Sequence, residues 1–143
     1  MGTGKKIAFA IYLLIVLALV ASGIAYLRCQ TIMPYHKAAI GIEWEDIPLA
    51  SQFLLQALVK AAGGGFLVTG IAVFIIAMIP FRSGEKWPIW AIPLLVALWT
   101  VPAAYGGFRA AQATGASIPW WMLAVVLALA VFASVLSAGS QKE

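Results

Sequence analysis

Long apolar runs, separated by short polar stretches, make up most of this chain. The first run, residues 7–26, holds 20 residues and no charge. A helix of that length rises about 30 Å, which matches the hydrocarbon core of a bilayer. Similar runs predict further spans at about residues 58–80, 89–108 and 120–138. The pattern therefore predicts an all-α, polytopic membrane protein, in which a bundle of four transmembrane helices forms one domain, residues 1–143.

The second apolar run is longer than a bilayer core requires. Few polar residues interrupt it between positions 49 and 80: Ser51, Gln52, Gln56, Lys60 and Thr69. We expect its helix to begin at about residue 47. Asp46 directly precedes Ile47 and Pro48, and proline suits the first turn of a helix, so Asp46 is predicted to cap it. Lys60 is predicted near the interface, bonded to headgroups, a carbonyl or Gln56.

Two polar links flank the third span. Residues 81–88 are predicted to form a short turn, and residues 109–119 a second link. Pro93 and Pro102 are expected to interrupt the helix that lies between them.

Composition and charge support a membrane protein and exclude nucleic-acid binding. The chain is 64% hydrophobic and only 10% charged, whereas charged residues make up about a quarter of soluble domains. Its net charge of +4 comes from scattered cations with no run longer than Lys5 and Lys6. The predicted partner is therefore the lipid bilayer, and no nucleic acid is expected.

Four spans place both termini on one side of the membrane. Lys5 and Lys6 beside the first span favour cytoplasmic termini in a multi-pass protein of the cell inner membrane. Two groups of cations result. The cytoplasmic group is Lys5, Lys6, Arg82, Lys86 and Lys142, and the other group is Arg28, Lys37, Lys60 and Arg109. A cleaved signal peptide is the alternative for residues 7–26, although this run exceeds the usual length of about 7 to 15 residues.

The most polar long stretch, residues 31–48, contains the candidate metal ligands. They are His36, Glu43, Glu45 and Asp46. A single imidazole without recognised ligand spacing predicts no metal, and no catalytic residue or cofactor is predicted either. Cys29 with His36 would lack the third group of a nucleophile–base site.

Instead, residues 31–48 are expected to form an ordered extracytoplasmic cap. His36 is expected to be exposed or to lie at headgroup depth. Glu43 and Glu45 are expected to lie in water or to pair with a nearby cation: Arg28, Lys37 or Arg109. Apolar residues of the cap are expected to cover Phe53, Leu54 and Leu58 of the second helix. The covering set is Ile32, Met33, Tyr35, Ile40, Ile42 and Trp44.

Polar and small residues mark two faces of the second helix. Gln52, Gln56 and Lys60 are four residues apart and share one face. They either meet headgroups or line a groove whose opposite wall carries Thr100 and Tyr105. Small residues recur at seven-residue intervals, and these predict a helix-packing seam: Gly63, Gly70 and Ala77.

A "MPYH" segment, a Trp-acidic turn, a glycine-containing second helix and a basic turn follow one another along the chain. In this organisation it resembles small uncharacterised bacterial four-helix integral membrane proteins, a resemblance that implies no activity. We expect a non-enzymatic protein that binds a lipophilic molecule or acts as an auxiliary subunit of another membrane protein. The alternative is a small membrane enzyme acting on a lipid or quinone-like substrate at the outer interface. A transporter protomer is disfavoured, because no carboxylate lies within a span.

Overall fold

The computed structural model of the chain describes residues 2–139 and is helical throughout its long segments. Its α-helices are α1 (Thr3–Arg28), α2 (Pro34–Ile40), α3 (Leu49–Ile76), α4 (Pro88–Thr114) and α5 (Trp121–Gly139). A π-helical turn, Ala77–Phe81, continues α3, and a 3₁₀ turn, Trp44–Asp46, precedes it. In this part of the chain α1, α3, α4 and α5 are long and apolar enough to cross a membrane, as predicted. Lys142 lies outside the described residues.

The four long helices form a ring in the order α1, α3, α4, α5, in which α3 and α4 make the loosest contact. Neighbours are antiparallel: Tyr12 near the start of α1 bonds to Ser134 near the end of α5 at 2.9 Å. The end of the bundle where α1 begins and α5 ends is termed the terminal end. The opposite end, which carries residues 29–48 and 115–120, is termed the loop end.

The helix α4 is longer than the sequence pattern predicts. It runs without a break through Pro93 and Pro102, so the expected interruption is wrong; helices in apolar surroundings tolerate proline where the freed backbone groups find other partners. It also continues to Thr114, so the predicted link 109–119 is wrong in its first half. These polar residues are mostly good helix formers, and the helix ends only where Gly115 adopts φ 70°.

The start of α3 also differs from expectation. Pro48 is the residue that precedes its first turn, and no side chain in the described structure caps that turn, so the capping prediction for Asp46 is wrong. A residue before proline avoids the helical region, and Ile47 is accordingly extended, with φ −75° and ψ 132°. Asp46 therefore lies two residues before the N-cap position of α3, which Pro48 occupies.

The connection between α1 and α3 folds inward over the bundle. Ile32 and Ile47 are each 6% exposed, and α2 contacts α4 on the far side of the ring. Phe53, Leu54 and Leu58 remain 64%, 62% and 58% exposed, so the expectation that this segment covers them is wrong. A segment that crosses the bundle cannot also cover the outer face of α3.

Candidate functional site

A cavity of about 1030 Å³ occupies the loop half of the bundle. All four long helices, α2 and the α4–α5 connection contribute to its wall. The wall residues nearest the terminal end form its floor, and they are Ala18, Leu19, Phe66, Leu98, Trp99 and Val126. The cavity therefore ends where the close-packed core of the terminal half begins.

Small side chains make this space. On α1 the wall positions include Ala18, Ser22 and Ala25, and on α4 they include Ala103, Gly107 and Ala110. Both sets have the spacing i, i+4, i+7, which places each set on one face of its helix. Since α1 and α4 are not neighbours in the ring, these two small-residue faces look across the interior without closing on each other. Empty volume remains between them.

The loose side of the ring borders the cavity. Leu58 of α3 and Leu98 of α4 both line it, and they are 58% and 67% exposed. Side chains that are on the wall and also largely exposed mark the rim of an opening. The cavity therefore opens sideways, toward the surface that lipid chains would contact if the four helices span a bilayer.

Polar groups of the wall gather near the loop end. The hydroxyls of Tyr26 and Tyr35 are hydrogen-bonded to each other. His36 packs edge to face against both rings, with centroid distances of 6.3 Å to Tyr26 and 4.4 Å to Tyr35. His36 is half-buried on the cavity wall rather than exposed, because α2 turns this side of its short helix inward. Its place at headgroup depth stays a prediction.

Burial favours the uncharged forms of His36 and Tyr35. It lowers the pKa of His36 below its usual range, which leaves the imidazole neutral at pH 7. Burial, followed by the hydrogen bond with Tyr26, raises the pKa of Tyr35. Tyr26, Tyr35 and His36 together are termed the aromatic polar cluster, and its members offer hydrogen-bonding groups on the cavity wall.

Gln52, Gln56 and Lys60, the polar stripe of α3, donate hydrogen bonds to backbone carbonyls of the loop end. Lys60 donates to the carbonyl oxygens of Leu27 and Cys29, each at 2.5 Å, which matches the carbonyl among its predicted partners. These acceptors lie at the end of α1, where a cation is favourable to the helix dipole.

The two glutamines of the stripe behave in the same way. Gln56 donates to the Gln30 carbonyl at 2.7 Å, and Gln52 to the carbonyls of Trp44 and Ile47, both at 2.9 Å. Together with Lys60 they fasten the α1–α3 connection onto α3.

The other two groove candidates lie elsewhere. Thr100 is 1% exposed and bonds within its own helix to the Val96 carbonyl at 2.8 Å. Tyr105 is 62% exposed and accepts a long hydrogen bond of 3.4 Å from Arg109. None of the five groove candidates is among the described residues that line the cavity.

The acidic candidates face outward. Glu43 forms an ion pair with Lys37. The hydrogen bond with Glu43 raises the pKa of that lysine. Glu45 and Asp46 are exposed in the 3₁₀ turn. Within residues 2–139, no three histidine, cysteine or acidic side chains are grouped as metal ligands. Cys29 is a free, half-buried thiol.

The small residues of α3 lie against α1. A Cβ atom added to Gly63 would lie 2.9 Å from the Tyr26 Cβ and 3.1 Å from the Gly23 oxygen, and one added to Gly70 would lie 3.0 Å from Val20. Ala77 is fully buried. This face is where the backbones of α1 and α3 approach most closely.

Trp99 is the wall residue that sequence patterns do not reveal. Its six-membered ring rests on Gly65, where an added Cβ would lie 2.3 Å from the ring. Its Nε1 is buried and has no hydrogen-bond partner in the described structure. From the sequence alone, a tryptophan within an apolar span is expected to face lipid. The contact of Trp99 with Gly65 shows instead that its ring turns toward α3. The matched small-residue spacing on α1 and α4 was the available sequence signal for the cavity.

Comparison of the chain with protein-family models, with curated proteins and with solved structures finds no match.

Proposed function

We propose that this protein binds a lipophilic molecule in the loop-half cavity, without converting it. The observation that carries the proposal is an open cavity of about 1030 Å³ whose wall is apolar except for a few neutral groups. Ligand sites are typically cavities of about 300 to 1,000 Å³ with such walls. The sideways opening between α3 and α4 would let a molecule enter from the bilayer without crossing water.

The proposal includes the setting in which binding occurs. Lys5 and Lys6 support a bacterial inner-membrane protein with both termini cytoplasmic. The loop end, with its structured connection between α1 and α3, would then lie at the extracytoplasmic interface, and the aromatic polar cluster would sit close to headgroup depth.

The test uses two tryptophan substitutions one residue apart. Ala62→Trp adds a large side chain to the cavity wall, whereas Ala61 is exposed and does not line the cavity. Native mass spectrometry of each purified protein measures the retained lipophilic molecules. We expect a stoichiometric molecule on the wild type and on Ala61→Trp, and its loss from Ala62→Trp. Equal retention by both variants would contradict the proposal.

A further inference from the structure

Positive charge gathers at the terminal end of the bundle, although it is scattered along the sequence. The described cations of this end lie at the start of α1 and on the turn between α3 and α4: Lys5, Lys6, Arg82 and Lys86. Glu85 is the one described acidic residue beside them, whereas three acidic residues accompany four cations at the loop end. Within residues 2–139, no ion pair involves a cation of the terminal end. This end therefore has an excess of uncompensated positive charge in the described part of the chain.

Aromatic rings hold two of these cations in place. Lys5 Nζ lies 5.3 Å from the ring centroid of Phe81, and Arg82 Cζ lies 5.9 Å from the ring centroid of Phe9. Each cation thus rests on a ring that the other segment carries. The two rings are themselves stacked, with centroids 6.4 Å apart and planes inclined by 7°. Because cations are attracted to the faces of aromatic rings, these crossed contacts fix both charges where α1 meets the end of α3.

The place of these two cations suits a lipid headgroup. Thr3 begins one of the segments that are apolar enough to cross a membrane, and Phe81 ends another. If these helices span a bilayer, Lys5 and Arg82 therefore lie where the hydrocarbon core meets the headgroups. The turn that follows Arg82 borders the same spot, since a Cβ atom added to Gly84 would lie 3.7 Å from Lys5 Nζ.

The chemistry of the two side chains points to a phosphate. The guanidinium fork of arginine matches the geometry of phosphate oxygens, and the ammonium of lysine adds a second charge. Basic sites between membrane helices bind anionic headgroups in this way. Since the ring contacts already order both side chains, a phosphate that binds between them has less conformational entropy to remove.

We propose that Lys5 and Arg82 form a binding site for the phosphate of an anionic phospholipid, at the junction of α1 with the end of α3. The site is separate from the cavity, because neither these cations nor Phe9 and Phe81 line the cavity wall. It holds a lipid at the outside of the bundle, and it does not depend on the function proposed for the interior.

The experiment compares lysines one residue apart. Delipidated protein is titrated with dioleoyl phosphatidylglycerol or with dioleoyl phosphatidylcholine, and native mass spectrometry counts the bound lipid. We expect phosphatidylglycerol to bind at least about fivefold more tightly, and Lys5→Met to weaken it about fivefold, which is the effect of one interfacial cation. Lys6→Met removes the same charge, but Lys6 is exposed and makes no described ring contact, so it should change binding less than about twofold.

A second matched pair repeats the comparison on the turn. Arg82→Met should weaken phosphatidylglycerol about fivefold and the exposed Lys86→Met less than about twofold. This pair serves also if Lys5→Met does not fold. Ala62→Trp, which adds a large side chain to the cavity wall, should bind phosphatidylglycerol at the terminal end as the wild type does.

Three results would overturn the site. Equal weakening by Lys5→Met and Lys6→Met, or by Arg82→Met and Lys86→Met, would show attraction by overall charge alone. Loss of phosphatidylglycerol from Ala62→Trp would place the lipid in the cavity. Displacement of the lipid by an excess of inorganic phosphate would show a site for free anions instead. A cavity that binds nothing would contradict the proposed function but leave these comparisons unaffected.

Discussion

The two halves of this bundle are built from the same four helices but are packed differently. In the terminal half, Tyr12, Ile15, Phe81 and Ile92 are at most 1% exposed, and the Tyr12 and Phe81 rings meet edge to face at 5.2 Å. In the loop half, the same helices border an open cavity of about 1030 Å³. The difference shows that the same four helices can fill the interior in one half and leave it open in the other.

Small residues also act in two ways. Where Gly63 of α3 faces Gly23 of α1, the helices close on each other. Where Ala103 of α4 borders the cavity, it leaves space. A small residue therefore marks close approach only when a neighbouring helix is available to fill its position.

The halves should respond differently to truncation, and this is the largest effect that we expect. Ile15→Ala should lower the free energy of unfolding by about 2 to 5 kcal/mol, because it opens a void in a close-packed core. Leu55→Ala, on the cavity wall, should cost less than about 1 kcal/mol, because its side chain already borders space. Unfolding in mixed micelles measures both; equal losses would remove the distinction between the halves.

A second pair of substitutions tests the α1–α3 contact. Gly63→Ala must displace atoms of Tyr26 and Leu27, whereas a Cβ at Gly64 meets nothing within 4 Å. We expect Gly63→Ala to be less stable than Gly64→Ala by about 1 to 3 kcal/mol, since both gain the same helix propensity but only the first is overpacked. If the two variants melt at the same temperature, the close approach is not present in solution.

Much of this architecture can be predicted from the sequence. The four apolar runs predict the four long helices, because burial in lipid requires only length and an absence of charge. The seven-residue spacing of Gly63 and Gly70 places both on one face, and in the structure both face α1.

The cavity cannot be predicted from the sequence in the same way. Its wall combines positions from five helices and two connections, and which faces oppose each other depends on the order of helices in the ring. Gln52, Gln56 and Lys60 illustrate the problem, since their spacing shows that they share a face but not that loop carbonyls cover it. Likewise, no sequence pattern around His36 predicts that α2 turns this side chain toward the cavity.

The loop half is fastened by side chains bonded to backbone, and Lys60 makes the strongest of these contacts. Lys60→Met keeps the apolar stem but removes both bonds to the carbonyls of Leu27 and Cys29. We expect a loss of about 1 to 2 kcal/mol, together with faster amide exchange in residues 29–33 and unchanged exchange around Tyr12. Exchange that increases equally in both halves would show that Lys60 acts on the whole bundle.

The smallest effect concerns the start of α3. Gln52→Ala removes two hydrogen bonds, to the carbonyls of Trp44 and Ile47, and should cost about 0.5 to 1.5 kcal/mol. Asp46→Ala should change the stability by less than about 0.5 kcal/mol, because Asp46 is exposed and caps no helix in the described structure. A larger loss for Asp46→Ala than for Gln52→Ala would restore Asp46 as the helix cap.

The central claim, that the loop half holds a lipophilic molecule inside the bundle, is tested most directly by photocrosslinking. A neutral lipid with a diazirine in its chain is activated on the purified protein, and the labelled peptides are mapped by mass spectrometry, with and without an excess of unlabelled lipid. We expect competable labels on cavity residues such as Ala103, Gly107 and Val126. Competable labels confined to outward-facing residues such as Leu17 and Val68, which are 66% and 70% exposed, would contradict the claim.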